Sequence, residues 1–327
     1  MDRNKLANNA ILLTTAMIWG SSFPIRKMAE EYMTPLFFNS MRLYTGAAFV
    51  AVVMILTYLY RKRKSSLRGI AEKSGGLAPL SYQLLGGVVC GIVLSAGSIC
   101  QQWGLYFTTA GKTGFITTLY TIFVPLISWL FLRKKINRQI WIGAGFAVAG
   151  LFFISAGSGF RLEIGDSVVF ISAIFFALQI LVINHYVQRT SALLLNAVQL
   201  ATAATISLTA SFFLESGNTP GAVLDAYAII LYAGVICLGV AYSLQTVALK
   251  HAVPSVAAII LSFESVFGAL FGAIILGERM TGTQLLGCGL IFAAIIVAQY
   301  EWGMKKSATS RASAEENASL TSTEPSA

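Results

Sequence analysis

Residues 34–46 read TPLFFNSMRLYTG, and residues 191–203 read SALLLNAVQLATA. A shift of 157 positions superimposes the two stretches and places Asn39 on Asn196. In both stretches the shared Asn is followed three residues later by a second polar or charged side chain. Self-similarity at a fixed offset is the sequence signature of a duplicated structural unit. The pair therefore predicts that the chain contains two related halves.

Two further pairs of segments support the duplication. Residues 102–118 match residues 245–261 at a shift of 143, and residues 141–150 match residues 285–294 at a shift of 144. The offset is smaller than 157 because a basic loop in the first half is longer than its counterpart in the second half. The matches keep the same order along the chain, so they predict one unit that occurs twice.

The composition indicates a membrane protein. Of the 327 residues, 56% are hydrophobic and only 11% are charged, and the mean hydropathy is +0.72. Soluble domains carry about 25% charged residues, and a membrane-spanning helix needs roughly 20 mostly apolar residues. Ten stretches have this character: 8–28, 35–60, 82–107, 113–132, 139–157, 166–187, 191–214, 226–249, 254–276 and 282–301.

The number of spans in each half determines the predicted topology. The ten spans divide into five in each half of the chain. Since five is odd, the second half enters the membrane from the opposite side. We therefore predict an all-α membrane protein with ten transmembrane helices in two inverted five-helix repeats, an arrangement typical of secondary transporters. The first repeat is predicted at 1–157, the second at 163–302, and a disordered cytoplasmic tail rich in Ser, Thr, Ala and Glu at 303–327.

The net charge of +9 is interpreted as a topology signal. Of the 23 Lys and Arg residues, 17 fall on the same side as the N-terminus. Five, including Arg26 and Lys112, fall on the other side, and Arg42 remains inside a span. Basic residues favour cytoplasmic loops. We therefore predict a multi-pass protein of the cell (inner) membrane, surrounded by lipid, with both termini in the cytoplasm. No basic run is interleaved with aromatic residues, so nucleic acid is not an expected partner.

Several kinds of chemistry lack support in the sequence. The four cysteines lie in predicted spans and form no C-x-x-C pattern. His185 and His251 are too few and too far apart in sequence to indicate a metal site. Residues 110–114 read AGKTG, but Tyr106 occupies the position at which a P-loop requires Gly. We therefore expect no metal, no cofactor and no enzymatic activity.

Four stretches resemble the EamA family of the drug/metabolite transporter superfamily. They are AMIWGSSFPIRK (16–27), PLFFNSMRLYTGAA (35–48), GDSVVFISAIFFALQIL (165–181) and LSFESVFGALFGAIILGERMTGTQLLGCGLIF (261–292). The resemblance implies a ten-helix transporter, often an exporter of amino acids and other small metabolites, with helices 1–4 and 6–9 around a central pathway. The two halves differ in chemistry, since Lys134 of the first half stands opposite Glu278 of the second.

Two ionisable residues lie deep in predicted spans. At 1.5 Å per residue, Glu264 lies about 18 Å below the nearer end of its span, and Arg42 lies about 10 Å below the end of its own. A charge at a helix centre costs about 2.5–3.5 kcal/mol, so such residues usually face a cavity or a partner. Two interpretations are open. The residues form an ion pair that joins two helices, or Glu264 takes a proton or attracts an amine while Arg42 attracts a carboxylate.

Polar residues at repeat-related positions form a second group of candidates. Asn39 and Arg42 are three residues apart and share a helix face. Asn196 and Gln199 repeat this spacing in the second half. Such residues either form interhelical hydrogen bonds, worth about 0.6–2 kcal/mol each, or line one pathway. With a repeat-related glutamine pair and a tyrosine, the predicted set for substrate binding or coupling is Glu264, Arg42, Asn39, Gln102, Gln245, Gln199, Asn196 and Tyr120.

Helix-breaking residues and small residues complete the set of candidates. Pro125 lies mid-span and predicts a kink, and Gly268 is its repeat partner, so the two are candidate gating positions. Small residues such as Gly143, Gly145 and Gly287 form faces on the fifth and tenth spans. These faces predict close helix packing, either within the chain or in a homodimer through helices 5 and 10.

These observations predict a secondary active transporter, and an exporter of a small polar metabolite such as an amino acid. Its central polar site would lie around Glu264 and Arg42, with protons as the candidate coupling ion. Two alternatives remain at this stage: a non-transporting membrane sensor or channel, and an integral-membrane lipid-modifying enzyme. The enzyme is disfavoured because the spans contain one central acid and no central His.

Overall fold

The computed structural model describes residues 3–68, 77–108, 110–156, 163–276 and 282–300. The predicted tail at 303–327 and Glu278 lie outside these ranges. Within them every regular element is helical, and no strand occurs. The α-helices are α1 (Arg3–Lys27), α2 (Pro35–Arg68), α3 (Leu80–Tyr106), α4 (Ala110–Thr117), α5 (Tyr120–Leu130), α6 (Arg138–Ala156), α7 (Ile164–Val187), α8 (Ala192–Leu214), α9 (Pro220–Asp225), α10 (Tyr227–Leu231), α11 (Ala241–Leu249), α12 (Pro254–Leu261), α13 (Phe263–Leu276) and α14 (Gly282–Tyr300). A 3₁₀ turn at Met28–Glu31 follows α1, and a π-helical segment at Tyr232–Val240 joins α10 to α11.

Seven helical segments in the described part of the chain are long and apolar enough to cross a membrane. They are Pro35–Tyr60, Leu80–Tyr106, Ala110–Leu130, Ile164–Val187, Ala192–Leu214, Tyr227–Leu249 and Pro254–Phe271. The other three predicted spans correspond to α1, which carries basic residues at both ends, and to the shorter apolar segments Arg138–Phe153 and Leu285–Ala298. Within the described residues, each of the ten apolar stretches is thus helical over most of its length.

The apolar side chains fall into a buried set and an exposed set. Leu43, Leu94 and Leu200 are fully buried in a central cluster that draws on helices from both halves of the chain. Large apolar side chains such as Leu56 and Phe212 are 61% and 81% exposed. An exterior of this kind is expected of helices whose outer faces contact lipid rather than water.

Two of the apolar helices are interrupted at repeat-related positions. The fourth predicted span divides into α4 and α5 around Thr118 and Leu119, and the ninth divides into α12 and α13 at Ser262. Leu119 and Ser262 correspond under the shift of 143. At each interruption a hydroxyl bonds to a carbonyl of the preceding turn, from Thr118 to Phe115 and from Ser262 to Ile259. Such bonds compete with the regular helical pattern and bend helices.

The interruptions lie before the residues that the sequence suggested as flexible points. Pro125 lies inside α5 and Gly268 inside α13, and both helices continue through these residues. In each case the interruption precedes the suggested residue by six positions. As a result, Tyr120 and Glu264 lie in the first turns of α5 and α13.

Helices α6 and α14 pack closely against each other through small residues. A Cβ atom on Gly143 would lie 2.9 Å from the carbonyl oxygen of Ala294, and one on Gly150 would lie 2.6 Å from that of Gly287. Gly145 faces open space, with no atom within 4 Å of the position that a Cβ atom would occupy. The small faces predicted on the fifth and tenth spans therefore pack against each other within the chain. A homodimer through these helices stays a prediction.

Candidate functional site

A cavity lies between the two halves of the chain and is lined by three buried charged side chains. Arg26 comes from α1, Arg42 from α2 and Glu264 from α13, and their exposed fractions are 4%, 3% and 3%. The other described side chains around the cavity carry no formal charge at neutral pH and include Trp19 and Tyr242. The wall of the cavity therefore combines three charged groups with uncharged polar, aromatic and apolar side chains.

Asn39 holds the guanidinium of Arg42 in place. Nε and one Nη atom of Arg42 donate to Oδ1 of Asn39 at 3.0 and 2.6 Å. Nδ2 of Asn39 in turn donates to the hydroxyl oxygens of Ser98 at 3.1 Å and Ser207 at 2.8 Å. Arg42 can reach Asn39 because residues three apart on a helix share a face.

The second half repeats this arrangement with neutral groups. Nε2 of Gln199 donates to Oδ1 of Asn196 at 2.8 Å, and Nδ2 of Asn196 donates to the Ser243 hydroxyl at 2.8 Å. Neither Asn39, Asn196 nor Gln199 lines the cavity. Asn39 and Asn196 therefore form interhelical hydrogen bonds, while Gln199 bonds to Asn196 within α8.

Glu264 lies at the cavity wall without a partner for its carboxylate. Its Oε1 atom is buried and accepts no hydrogen bond, and no ion pair with Arg42 forms in the described structure. Leaving a buried polar atom unpaired is costly, so the position is a candidate contact for a ligand or a proton. The interpretation in which Glu264 and Arg42 pair with each other does not describe this conformation.

Gly20 allows α1 to approach α13 at the level of Glu264. A Cβ atom on Gly20 would lie 2.5 Å from the carbonyl oxygen of Glu264 and 2.8 Å from the nitrogen of Gly268. Any larger residue at this position would push the two helices apart. The glycine therefore sets the distance between Glu264 and the wall of the cavity formed by α1.

Arg26 is a site residue that the sequence analysis counted only as a topology signal on the non-cytoplasmic side. It lines the cavity near the end of α1. Nε and one Nη atom donate to Oε1 of Gln102 at 3.0 and 2.7 Å, and the other Nη atom donates to Oε1 of Gln101 at 2.9 Å. Gln102 therefore belongs to the site as a support for Arg26 rather than as a lining residue.

Several uncharged polar groups at the cavity also lack partners. Tyr120 Oη, Gln245 Oε1 and Gln179 Nε2 are buried, and none of these three atoms forms a hydrogen bond in the described structure. Tyr120 and Gln245 were predicted from the sequence, whereas Gln179 was not. The rings of Trp19 and Tyr242 contact each other with their centroids 4.9 Å apart and their planes tilted by 55°. Nε1 of Trp19 donates to the carbonyl of Cys237 in the π-helical segment. The wall around the unpaired groups is thus fixed.

A second polar cluster lies apart from the cavity. Lys112 at the start of α4 forms an ion pair with Asp166 at the start of α7 at 3.5 Å, and both side chains are buried. Asp166 also accepts from the Thr108 hydroxyl and, at 2.9 Å, from the backbone N–H of Glu163. Lys112 is therefore an internal residue, although the sequence placed it in a loop.

The model of the EamA-like transporter family matches this chain twice, at residues 8–156 and 163–300. The chain belongs to the EamA-like transporter family. Together with its apolar helices, this membership makes it a multi-pass membrane transporter. The resemblance inferred from the sequence is thereby confirmed.

Relatives in this family cover most of the chain. An uncharacterized transporter of Archaeoglobus fulgidus is 31% identical over 286 residues, which are 88% of this chain and 83% of the relative. The uncharacterized transporter YoaV of Bacillus subtilis strain 168 is 24% identical over 299 residues, 90% of this chain and 97% of the relative. A solved crystal structure superimposes with a TM-score of 0.69 at 15% identity, covering 90% of this chain and 98% of that one. At that identity the likeness shows the fold.

Proposed function

We propose that this EamA family member is a secondary active transporter that exports a small polar metabolite such as an amino acid. The observation that carries the proposal is the cavity between the two halves. Among the described residues, Oε1 of Glu264 has no hydrogen-bond partner there, and the guanidinium of Arg42 donates to a neutral amide. The proposed direction, export, rests on the resemblance to the family and not on the cavity.

The proposed architecture is ten spans in two inverted five-helix repeats. The two matches to the family model support it, as do helix interruptions at Leu119 and Ser262, which the shift of 143 relates. Interrupted helices near a repeat interface are typical of secondary transporters, in which one repeat moves against the other around a fixed site. The position of Tyr120 and Glu264 in the turns that follow these interruptions supports a site at the proposed interface.

Substrate and coupling ion would use the unpaired groups. An amine of the substrate would bind at the Glu264 carboxylate, and a carboxylate of the substrate would bind at Arg42, while Gln245 and Tyr120 would supply further hydrogen bonds. Glu264 would also exchange a proton as the cavity opens to each side in turn. Since ionisable residues inside a membrane mark ion and substrate pathways, Glu264 is the residue to test first.

The test begins with the substrate. Purified protein is screened by thermal unfolding against amino acids, nucleosides and sugars, because only a compound that binds the folded state raises its stability. The best compound is then used for counterflow in proteoliposomes across a range of pH. We expect saturable exchange by the wild type with a clear dependence on pH.

Two variants then locate the coupling residue. Glu264→Gln keeps the size of the side chain but cannot exchange a proton, so we expect proton-coupled counterflow to be lost. Glu163→Gln removes an acid that lies outside the cavity and is 45% exposed, and it should behave as the wild type. Unchanged pH dependence in Glu264→Gln would contradict the assigned role, and absence of saturable exchange by the wild type with any stabilising compound would contradict the transporter.

A further inference from the structure

Two guanidinium groups of the cavity are anchored to a single turn of α3. Arg26 donates to Gln101 and Gln102, and the amide that holds Arg42 donates in turn to Ser98. From Ser98 to Gln102 the rise along the helix axis is about 6 Å. The two arginines reach the cavity from different helices, α1 and α2, yet their supports lie side by side.

In the part of the chain that the structure describes, the groups that accept hydrogen bonds from these guanidiniums are neutral. In the described structure no carboxylate forms an ion pair with Arg26 or Arg42, although both are almost completely buried. Glu264 is the one acid on the cavity wall, and it pairs with neither. Buried charges are normally paired, so the cavity carries positive charge that a bound anion would compensate.

The amides that hold the two guanidinium groups leave some of their N–H groups for such an anion. A guanidinium has five N–H groups. Three N–H groups of Arg26 and two of Arg42 are used by the amides of Gln102, Gln101 and Asn39. Two N–H groups of Arg26 and three of Arg42 therefore remain. Because amides fix the other edges of both groups, the arginines are pre-oriented before a ligand arrives.

We propose that Arg26 and Arg42 together form an anion subsite that binds a carboxylate or phosphate group of the substrate. Planar guanidinium groups match the oxygen geometry of both anions. Arg26 is then a specificity-determining residue equal to Arg42, and Gln101, Gln102 and Asn39 are positioning residues. The inference rests on the proposed function, which it deepens: the substrate is an anion or a zwitterion, with its anionic group between α1 and α2.

The experiment measures anion binding without knowledge of the full substrate. Thermal unfolding of the purified full-length protein is followed in sodium acetate, in sodium phosphate and in sodium chloride at matched ionic strength, so that screening is constant. We expect acetate or phosphate to raise the unfolding temperature of the wild type above its value in chloride. A rise with acetate alone identifies a carboxylate subsite, and a rise with phosphate alone identifies a phosphate subsite.

Three variants show whether the anion binds at the arginines. Arg26→Met and Arg42→Met should each lose the anion-dependent rise. Lys27→Gln removes the neighbouring cation, which donates to the carbonyls of Leu105 and Tyr106 and not to the cavity, so it should keep the rise. Retention of the rise in Arg26→Met, or its loss in Lys27→Gln, overturns the proposal.

Two more variants separate anion binding from folding. Arg26→Lys keeps the charge but not the fork of donors, and we expect at least tenfold weaker binding of the anion. Equal binding by this variant overturns the role of Arg26. Glu264→Gln removes a negative charge from the same cavity and should bind the anion more tightly, an effect that misfolding cannot produce. Tighter binding there supports the subsite, and weaker binding overturns it.

The outcome is independent of the transport assay. If the wild type performs counterflow but neither acetate nor phosphate stabilises it, the anion subsite is wrong and the proposed transporter stands. If an anion stabilises the wild type through Arg26 and Arg42 but no compound is exchanged across the membrane, the subsite stands and the proposed transporter is wrong.

Discussion

Lys112 and Asp166 form a buried ion pair whose removal should destabilise the fold. Their side chains are 9% and 5% exposed. Asp166→Asn keeps an acceptor for Thr108 but removes the charge opposite Lys112. Breaking a buried ion pair by removing one partner typically costs about 3–5 kcal/mol, and the contact that Lys112 keeps with Glu163 places the expected loss at the lower end of this range. We expect a loss of this order in the free energy of unfolding, measured by denaturant titration in detergent.

A matched control uses the same lysine. Glu163 contacts Lys112 at 3.7 Å, but its side chain is 45% exposed. Exposed pairs contribute about 0–1 kcal/mol, so Glu163→Gln should change stability little. If the two variants lose the same stability, burial is not what makes the pair with Asp166 important.

Arg26 and Lys27 show why single residues were harder to place than segments. In the sequence both are adjacent cations near the end of the first span. Neighbouring residues on a helix point in directions about 100° apart. Arg26 therefore enters the cavity, while Lys27 reaches the carbonyls at the end of α3. Hydropathy carries no information on which of two adjacent cations faces inward, whereas Glu264 was predictable because its neighbours along the span are apolar.

At the scale of elements, the helix interruptions lie at residues with hydroxyl groups and not at Pro125 or Gly268. Thr118 and Ser262 bond to carbonyls of the preceding turn, and the Thr118 hydroxyl also contacts that of Ser265 at 3.0 Å. The sequence suggested Pro125 and Gly268 because their backbone effects are strong and local. The bonds to the preceding turn are local, but the same kind of bond occurs in uninterrupted helices, for example from Ser40 to Phe37. A hydroxyl in the sequence therefore does not by itself predict an interruption, and the contact with Ser265 follows only from tertiary packing.

The close packing of α6 on α14 gives a prediction with its control on the same helix. Gly150→Ala would bring a methyl group to 2.6 Å from the carbonyl oxygen of Gly287, whereas Gly145→Ala would place one in open space. Overpacking of this kind costs about 1–3 kcal/mol, and Ala is a better helix former than Gly by about 1 kcal/mol.

We therefore expect Gly150→Ala to unfold at a lower temperature than the wild type, and Gly145→Ala to unfold at the same or a higher temperature. Thermal unfolding of both variants in one detergent provides the measurement. A loss of stability in Gly145→Ala alone would mean that this open face is covered by another molecule, as the predicted homodimer through helices 5 and 10 requires.

At the scale of the whole molecule, the repeats account for the positions of the hydrogen-bonded polar pairs but not for the charges in the cavity. The pair Asn39–Arg42 recurs as Asn196–Gln199, with the same hydrogen bond between the two members. The charge is present in one copy, and Glu264 corresponds to Thr121 in the other. Duplication therefore predicts the scaffold, while the substitutions that distinguish the copies make the cavity asymmetric.

The last prediction concerns the number of spans, and it depends on α6. The apolar stretch of this helix, Arg138–Phe153, is shorter than the seven segments that are long and apolar enough to cross a membrane. With ten spans and both termini in the cytoplasm, four spans precede Lys135 and six precede Gln188, so both residues lie on the cytoplasmic side. Seven spans precede Ser216, which therefore lies on the other side. All three residues are exposed in the structure.

Single-cysteine variants at these three positions test this arrangement in a chain whose four native cysteines are replaced. A membrane-impermeant maleimide should label Ser216→Cys in intact cells and should label Lys135→Cys and Gln188→Cys only after permeabilisation. If α6 did not cross the membrane, Lys135→Cys and Gln188→Cys would differ in their labelling. The excess of basic residues on the predicted cytoplasmic side favours the first result, because positively charged loops are retained in the cytoplasm.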